Sequence, residues 1–213
     1  PTAPHTADAN TVFLLNPNPS IIDKAQGSNI TLVGDASGSN TQQLFGSSTM
    51  TFDGSGDRVT ATNVPNLGAD FTVEAWVYAN VGLGNAVIIA SIDNVGDWGG
   101  NGHWALMHGS KYNFQIDGGG YTSTSTAPTE GVWQHIAVTR SSGTVRYFID
   151  GVLDSTSYTN TSVLTNPSGV VVGSGPNNNY IYNWNGHLQD VRVTEGLARY
   201  TSNFTPPTAL LEG

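Results

Sequence analysis

The 213-residue chain has no cysteine, which excludes structural disulfides, thiolate catalysis and zinc-thiolate centres together. Charge is also scarce. Charged residues make up 11% of the chain, less than half of the roughly 25% usual in globular proteins, so few salt bridges are expected. Basic residues are the rarer kind, 7 against 16 acidic, for a net charge of −9. That sign repels phosphate backbones and anionic headgroups, which argues against nucleic acid and membrane surfaces as partners. No apolar run approaches the ~18–20 residues of a membrane-spanning helix, so no membrane insertion is expected. The first residues, Pro1 to His5, lack a basic stretch followed by an apolar one. Lacking an initiator methionine, the chain reads as a mature or excised fragment.

Sustained helical periodicity is missing too. The nearest candidate, Thr194 to Tyr200, holds a glycine and allows one or two turns at most. What the chain does have is 38% hydrophobic residues, enough to fold around a core. They come in short runs rich in Val, Ile, Thr and aromatics, separated by Gly, Asn, Asp, Ser and Pro clusters. This rhythm predicts an all-β, antiparallel two-sheet sandwich, and a single all-β domain can run to about 200–250 residues. Residues 1–10, with two prolines and no periodicity, read as a flexible tether, which leaves 11–213 as the domain.

The best strand is Phe71 to Tyr78. Phe71, Val73, Ala75 and Val77 fall on a core face; Thr72, Glu74, Trp76 and Tyr78 fall on a mixed aromatic and polar surface. Trp133 to Thr139 and Val145 to Ile149 form a second pair, and Asp150-Gly151 turns the latter into Val152-Leu153. Asp-Gly between apolar strands is a strong hairpin signal, because a type I′ turn needs positive φ at both central residues. Further strands are expected at 48–53, 86–91, 104–108, 112–116, 169–173 and 187–193.

Four stretches, in this order, carry a family resemblance: Phe52-Asp-Gly-Ser-Gly-Asp57, Phe71-Thr-Val-Glu-Ala-Trp-Val77, Trp133-Gln-His-Ile-Ala-Val-Thr-Arg140 with Tyr147-Phe-Ile-Asp-Gly151, and the run Gly186 to Pro207. Together they resemble the laminin-G-like, concanavalin A-like jelly-roll domains found in phage and other virion proteins, over about residues 11–208. The resemblance implies two packed antiparallel sheets, one concave, with ligand-binding loops at one rim. It implies no particular ligand, since the fold carries lectins, adhesion modules, hydrolases, lyases and structural decoration. It also treats Trp76 and Trp133 as structural.

Catalysis finds little support. Retaining glycosidases need two carboxylates ~5–5.5 Å apart, yet Glu74 is the only acid of its strand and Glu130 lies in a turn. No Gly-x-Ser-x-Gly elbow occurs, and His135 reads as a strand residue satisfied by its neighbours. A cation, if bound, would be a hard one, because oxygen donors abound. The resemblance implies a structural calcium ion (Ca2+) between Gln189-Asp190, Asp53-Gly54 and the stretch Asn16 to Asp23. Gln189 stands where the family commonly has an acid, which weakens that ligand. The alternative is that Asp190 accepts backbone hydrogen bonds and Asp53 serves its own turn.

Two loops concentrate groups that suit sugars, an aromatic platform with planar amides and carboxylates. One holds Asp93, Asp97, Trp98 and Asn101. The other holds Tyr180, Tyr182 and Trp184, which share one side if the stretch is extended. The alternative is that these rings pack into the rim of the sandwich. Three glycosylation sequons, at Asn29, Asn160 and Asn203, are expected by chance in so Asn- and Thr-rich a chain. The sequence therefore points to a non-enzymatic, extracellular or virion-surface module that binds a surface glycan and serves adhesion. The other readings are a structural decoration or fibre subunit that contacts neighbouring virion proteins, as a homo-oligomer within a larger assembly, and a carbohydrate-active enzyme.

Overall fold

The computed structural model describes residues 7–17, 20–92, 102–117, 121–166, 168–176 and 181–212. Among them there is no helix, and every named strand belongs to one of two antiparallel sheets. The nine-stranded sheet contains β1 (Thr11–Asn16), β2 (Ile22–Asp23), β4 (Ser37–Leu44), β5 (Ser47–Asp53), β7 (Phe71–Ala79), β12 (Trp133–Ser141), β13 (Thr144–Ile149), β14 (Val152–Thr159) and β16 (Asn185–Glu195). The seven-stranded sheet contains β3 (Asn29–Val33), β6 (Arg58–Thr62), β8 (Ala86–Ser91), β9 (Trp104–His108), β10 (Asn113–Ile116), β11 (Tyr121–Ser123) and β15 (Val170–Val172), in the order β11-β10-β9-β8-β15-β6-β3.

β16 organises the larger sheet. It pairs with β7 along one side; on the other, its first half meets β5 and its second half meets β1. The core lies between the sheets, where Phe71, Val73, Ala75 and Val77 of β7 face Trp104, Leu106, Phe114 and Val170. Fully burying a side chain of Val, Leu or Phe size contributes about 1.5–3 kcal/mol, so this layer supplies the main driving force for folding. The Asp150-Gly151 turn is as expected, with φ of 51° and 78°. A Cβ at position 151 would strike the Phe204 carbonyl oxygen, so glycine is required there twice over.

Two expectations need correction. The outward face of β7 is not open along its length, because the C-terminal segment crosses it as a strap. The Thr72 and Thr139 hydroxyls donate to the carbonyls of Leu197 and Tyr200 at 3.0 and 2.9 Å, and Phe204 N–H donates to Gly151 O at 2.9 Å. Thr72 and Glu74 are thereby fully buried, whereas Trp76 and Tyr78, beyond the strap, stay half-buried. Residues 7–10, read from the sequence as part of a flexible tether, are also held on the domain. Ala7 N–H donates to Glu212 O, Asp8 pairs with Arg199 at 2.7 Å, and the Asn10 amide donates to Glu195 O, so residues 7–10 are docked on the domain.

Candidate functional site

The outer face of the seven-stranded sheet carries a cleft. Alternation along the stretch Tyr112 to Ile116 sends Tyr112, Phe114 and Ile116 into the core, and so turns Asn113 and Gln115 outward. Register then aligns Ser123 of β11, Asn113 of β10, Met107 of β9 and Val87 of β8 in one row. Tyr182, 40% exposed, stands at the β8 end, fixed where its carbonyl accepts the Val87 N–H at 2.9 Å. The turn from β9 to β10, Gly109 to Lys111, and the side chain of Asn85 close the remaining flank. A Cβ on Gly109 would come within 2.5 Å of Asn85 Oδ1, so the glycine lets that amide lie against the turn.

The cleft is half-open, with a volume of about 340 Å³, at the small end of the ~300–1,000 Å³ usual for small-ligand sites. Its floor is apolar at Met107, part of a separate outer cluster with Val87, Ala90, Ala105 and Val171. Its walls offer three amides, two serine hydroxyls and a phenol ring. The Asn113 Oδ1 atom is buried with no hydrogen-bond partner. An unpaired buried acceptor costs about 1–3 kcal/mol, a cost that a ligand hydroxyl would offset once the amide turns to meet it.

Of the sugar-loop residues expected from the sequence, Asp93, Asp97, Trp98, Asn101 and Tyr180 lie outside the described residues. Tyr182 does line the cleft. Trp184 does not, and this corrects the expectation that the two rings share a side: Trp184 is fully buried in the main core, edge-on to His108 at 5.7 Å. Two residues share a side only in extended backbone, and Tyr182 at φ 62° is in the left-handed region, which turns the chain between them. Sequence reasoning missed Asn85, Met107, Lys111, Asn113, Gln115 and Ser123. The signal for two of them was present, in the polar residues alternating with core aromatics over 112–116.

The calcium centre does not assemble among the described residues. Asp53 pairs with Asn185 at the start of β16, whereas Asp190 lies further along that strand, roughly 16 Å away at ~3.3 Å per residue. Asp53 Oδ1 accepts the Ser55 N–H at 2.7 Å, while Gly54, at φ 88°, packs against Asn185. Asp190 does meet Asn16, as expected. Its Oδ1 accepts N–H from the amides of Asn16 at 2.7 Å and Gln189 at 3.1 Å, and its Oδ2 accepts the Leu211 N–H at 3.0 Å. These contacts are donors to an acid, not an oxygen cage for a cation, so the described part of the set does not fit calcium; residues 18 and 19 of the implied stretch lie outside the described residues. Burial pushes the Asp190 carboxyl up to about 6, against the lowering effect of those hydrogen bonds and of Arg192. Among the described residues no group of three or more His, Asp or Glu side chains could hold a metal.

Glu74 is the acid on which hydrolase chemistry would have rested. Its Oε1 accepts from Arg192 Nε at 2.7 Å; its Oε2 lies 3.2 Å from His135 Nε2 and accepts the Tyr200 hydroxyl at 3.0 Å. Burial favours its neutral form, but Arg192 and then His135 outweigh that and hold it well below the ordinary carboxylate range. With Tyr200 stacked on Phe204 at 3.5 Å over this cluster, Glu74 is sealed from substrate. His135 is satisfied only in part, since its Nδ1 has no partner.

Fold and cleft together define an antiparallel jelly-roll sandwich with a cleft on the outer face of one sheet. The chain belongs to the laminin-G type of the concanavalin A-like lectin/glucanases superfamily, whose family model matches residues 53–197. Among solved structures it is similar to the binding domain of Paraclostridial Mosquitocidal Protein 1, with a TM-score of 0.65, 15% identity, and 89% of this chain and 50% of that one covered. It is similar also to domain 4 of AbnA, a GH43 extracellular arabinanase from Geobacillus stearothermophilus in complex with arabinotriose, with a TM-score of 0.64, 15% identity and coverage of 88% and 93%. The botulinum neurotoxin serotype D binding domain gives a TM-score of 0.65, 15% identity and coverage of 89% and 49%. The chain thus spans about half the length of the toxin domains it matches. No curated protein matches it in sequence.

Proposed function

We propose that the protein is a non-enzymatic, extracellular or virion-displayed module that binds carbohydrate in the cleft between Tyr182 and Ser123. The observation that carries this reading is the cleft itself, with an apolar floor at Met107, amides at Asn85, Asn113 and Gln115, and an unpaired acceptor at Asn113 Oδ1. Sugars present C–H faces and hydroxyls, and such a surface complements both. Support comes from the arabinanase domain, which matches this chain over nearly its whole length and was solved with an oligosaccharide. The sealed state of Glu74 favours binding over turnover. Calorimetry against arabinotriose and a panel of neutral and acidic oligosaccharides tests the reading. Binding lost in Asn113→Ala with melting unchanged supports it, and no binding by any sugar overturns it.

A second reading draws on the other sheet. Trp133, Tyr78 and His187 lie side by side across β12, β7 and β16, with ring centroids 5.7 and 6.0 Å apart. Phe45, 37% exposed, stands edge-on to the neighbouring Trp76 at 5.6 Å. With Phe45 exposed and Trp76, Tyr78 and Trp133 half-buried, this row suits a protein contact in a larger assembly. Sedimentation of the parent and Phe45→Glu forms tests it, with self-association lost in the variant as the expected result.

A further inference from the structure

We propose that the cleft takes an acidic sugar, one bearing a single carboxylate or sulfate group, and holds that group at Lys111. The inference rests on the carbohydrate reading of the same cleft and adds the charge of its ligand.

Lys111 is exposed on the turn from β9 to β10 and lines the cleft. Its Nζ donates to Ser125 O at 3.0 Å. An ammonium group has three donors, so two N–H directions remain with no partner among the described residues. Three of the six other cations of the chain are committed elsewhere. Arg192 is buried on Glu74, Arg199 is paired with Asp8, and Arg140 donates to the carbonyls of Gly68, Ala69 and Ser162. In a chain with 7 basic and 16 acidic residues, a lysine with spare donors beside a cleft is a local exception to the prevailing charge.

None of the described residues lining the cleft is acidic. The carboxylate that approaches this corner is Asp154, and it is occupied: its oxygens accept from Ser125 N–H and Oγ at 2.8 Å and from the N–H of Thr156 at 2.8 Å. A negative group at Lys111 therefore meets a donor without displacing a salt bridge.

The unpaired acceptor sets the direction of binding. Asn113 Oδ1 has almost no accessible surface, so it accepts a ligand hydroxyl only when the amide turns toward the cleft, and as an acceptor it repels an oxyanion. The ligand accordingly places its hydroxyls on the Asn113 row and its negative group at the Lys111 turn. The charge-assisted hydrogen bond formed there is about twice as strong as a neutral one, which is the source of selectivity over the uncharged sugar.

The test compares three ligands with a common core, lactose, 3′-sialyllactose and 3′-sulfolactose, and adds monomeric galacturonate against its methyl ester, all by calorimetry. The expected result is at least about tenfold tighter binding of one acidic member than of its neutral counterpart, eroded by raising the salt concentration. Carboxylate and sulfate arms tell the two anionic groups apart. Lys111→Ala should bring the acidic ligand to the neutral affinity, and Lys111→Arg should retain the preference. Equal affinity for acidic and neutral members, or a preference that survives Lys111→Ala, overturns this inference and leaves the carbohydrate reading standing. Binding of no sugar in any arm overturns both.

Discussion

Glu74 and Arg192 face each other in register across β7 and β16, with 2.7 Å between Oε1 and Nε, both fully buried under Tyr200. Removing one partner leaves an uncompensated buried charge, which typically costs about 3–5 kcal/mol. Glu74→Gln is therefore expected to lower the melting temperature substantially, at roughly 2–4 °C per kcal/mol for a chain of this size. The double variant Glu74→Leu/Arg192→Met should lose less than the sum of the single losses. Thermal denaturation of the parent, Glu74→Leu, Arg192→Met and the double variant checks this, and strict additivity would show that the pair is not coupled.

The Asp190 carboxyl is pushed up to about 6 from an ordinary 3.8. The folded protein then holds this proton more tightly than the unfolded chain. Its stabilising contribution is complete below pH 3.8 and is lost as pH rises through about 6. A shift of that size corresponds to a change of about 3 kcal/mol. Asp190→Asn removes the titration and tolerates the positive φ of 49° at this bulge. The variant should gain stability relative to the parent between pH 4 and 7, read from urea midpoints at several pH values. Glu74 and Asp8, whose values lie below the ordinary range, are common to both proteins and cancel. Parallel curves for the two proteins would refute the assignment.

The sandwich was legible because strand pairing obeys a local rule. Phe71 to Val77 alternates cleanly, and Asp150-Gly151 can make only a few turns, so β7, β12 and β13 follow from short stretches. The site was less legible because it depends on register between strands far apart in the chain. Ser123, Asn113 and Met107 become neighbours only when β9, β10 and β11 are paired. The edge strands β3 and β4 were missed, since polar stretches such as Ser37–Leu44 carry little hydrophobic alternation. Burial of Glu74 was hidden for a different reason. A residue on the outward face of a strand is exposed by default, and the strap that covers it arrives from more than a hundred residues away, at Tyr200.

Calcium should leave stability unchanged. An ion bound only by the folded state raises its stability by mass action, and the Asp190 oxygens are already engaged by N–H groups of Asn16, Gln189 and Leu211. Melting curves in EDTA and in millimolar calcium are expected to superimpose. A rise in calcium that disappears in Asp190→Asn would show that the amides turn their oxygens to the ion, and would restore the centre that the resemblance implies.

Tyr182 and Trp184 are two residues apart and should behave as opposites. Trp184 is fully buried against His108, although its Nε1 finds no partner. Emptying such a site costs about 3–5 kcal/mol, so Trp184→Ala should lose stability, and binding only through it. Tyr182 exposes 40% of its surface and holds its place through its backbone carbonyl, which accepts the Val87 N–H whatever side chain is present. Its positive φ of 62° is better tolerated by asparagine than by alanine, so Tyr182→Asn is the informative variant. That protein should melt within a few degrees of the parent, because exposed substitutions usually stay within about ±0.5 kcal/mol. It should bind the sugar at least about fivefold more weakly, since an exposed aromatic at the edge of a cleft contributes to the ligand and little to the fold. Parent-like binding by Tyr182→Asn would remove the ring from the site and leave the Asn113 row to carry it.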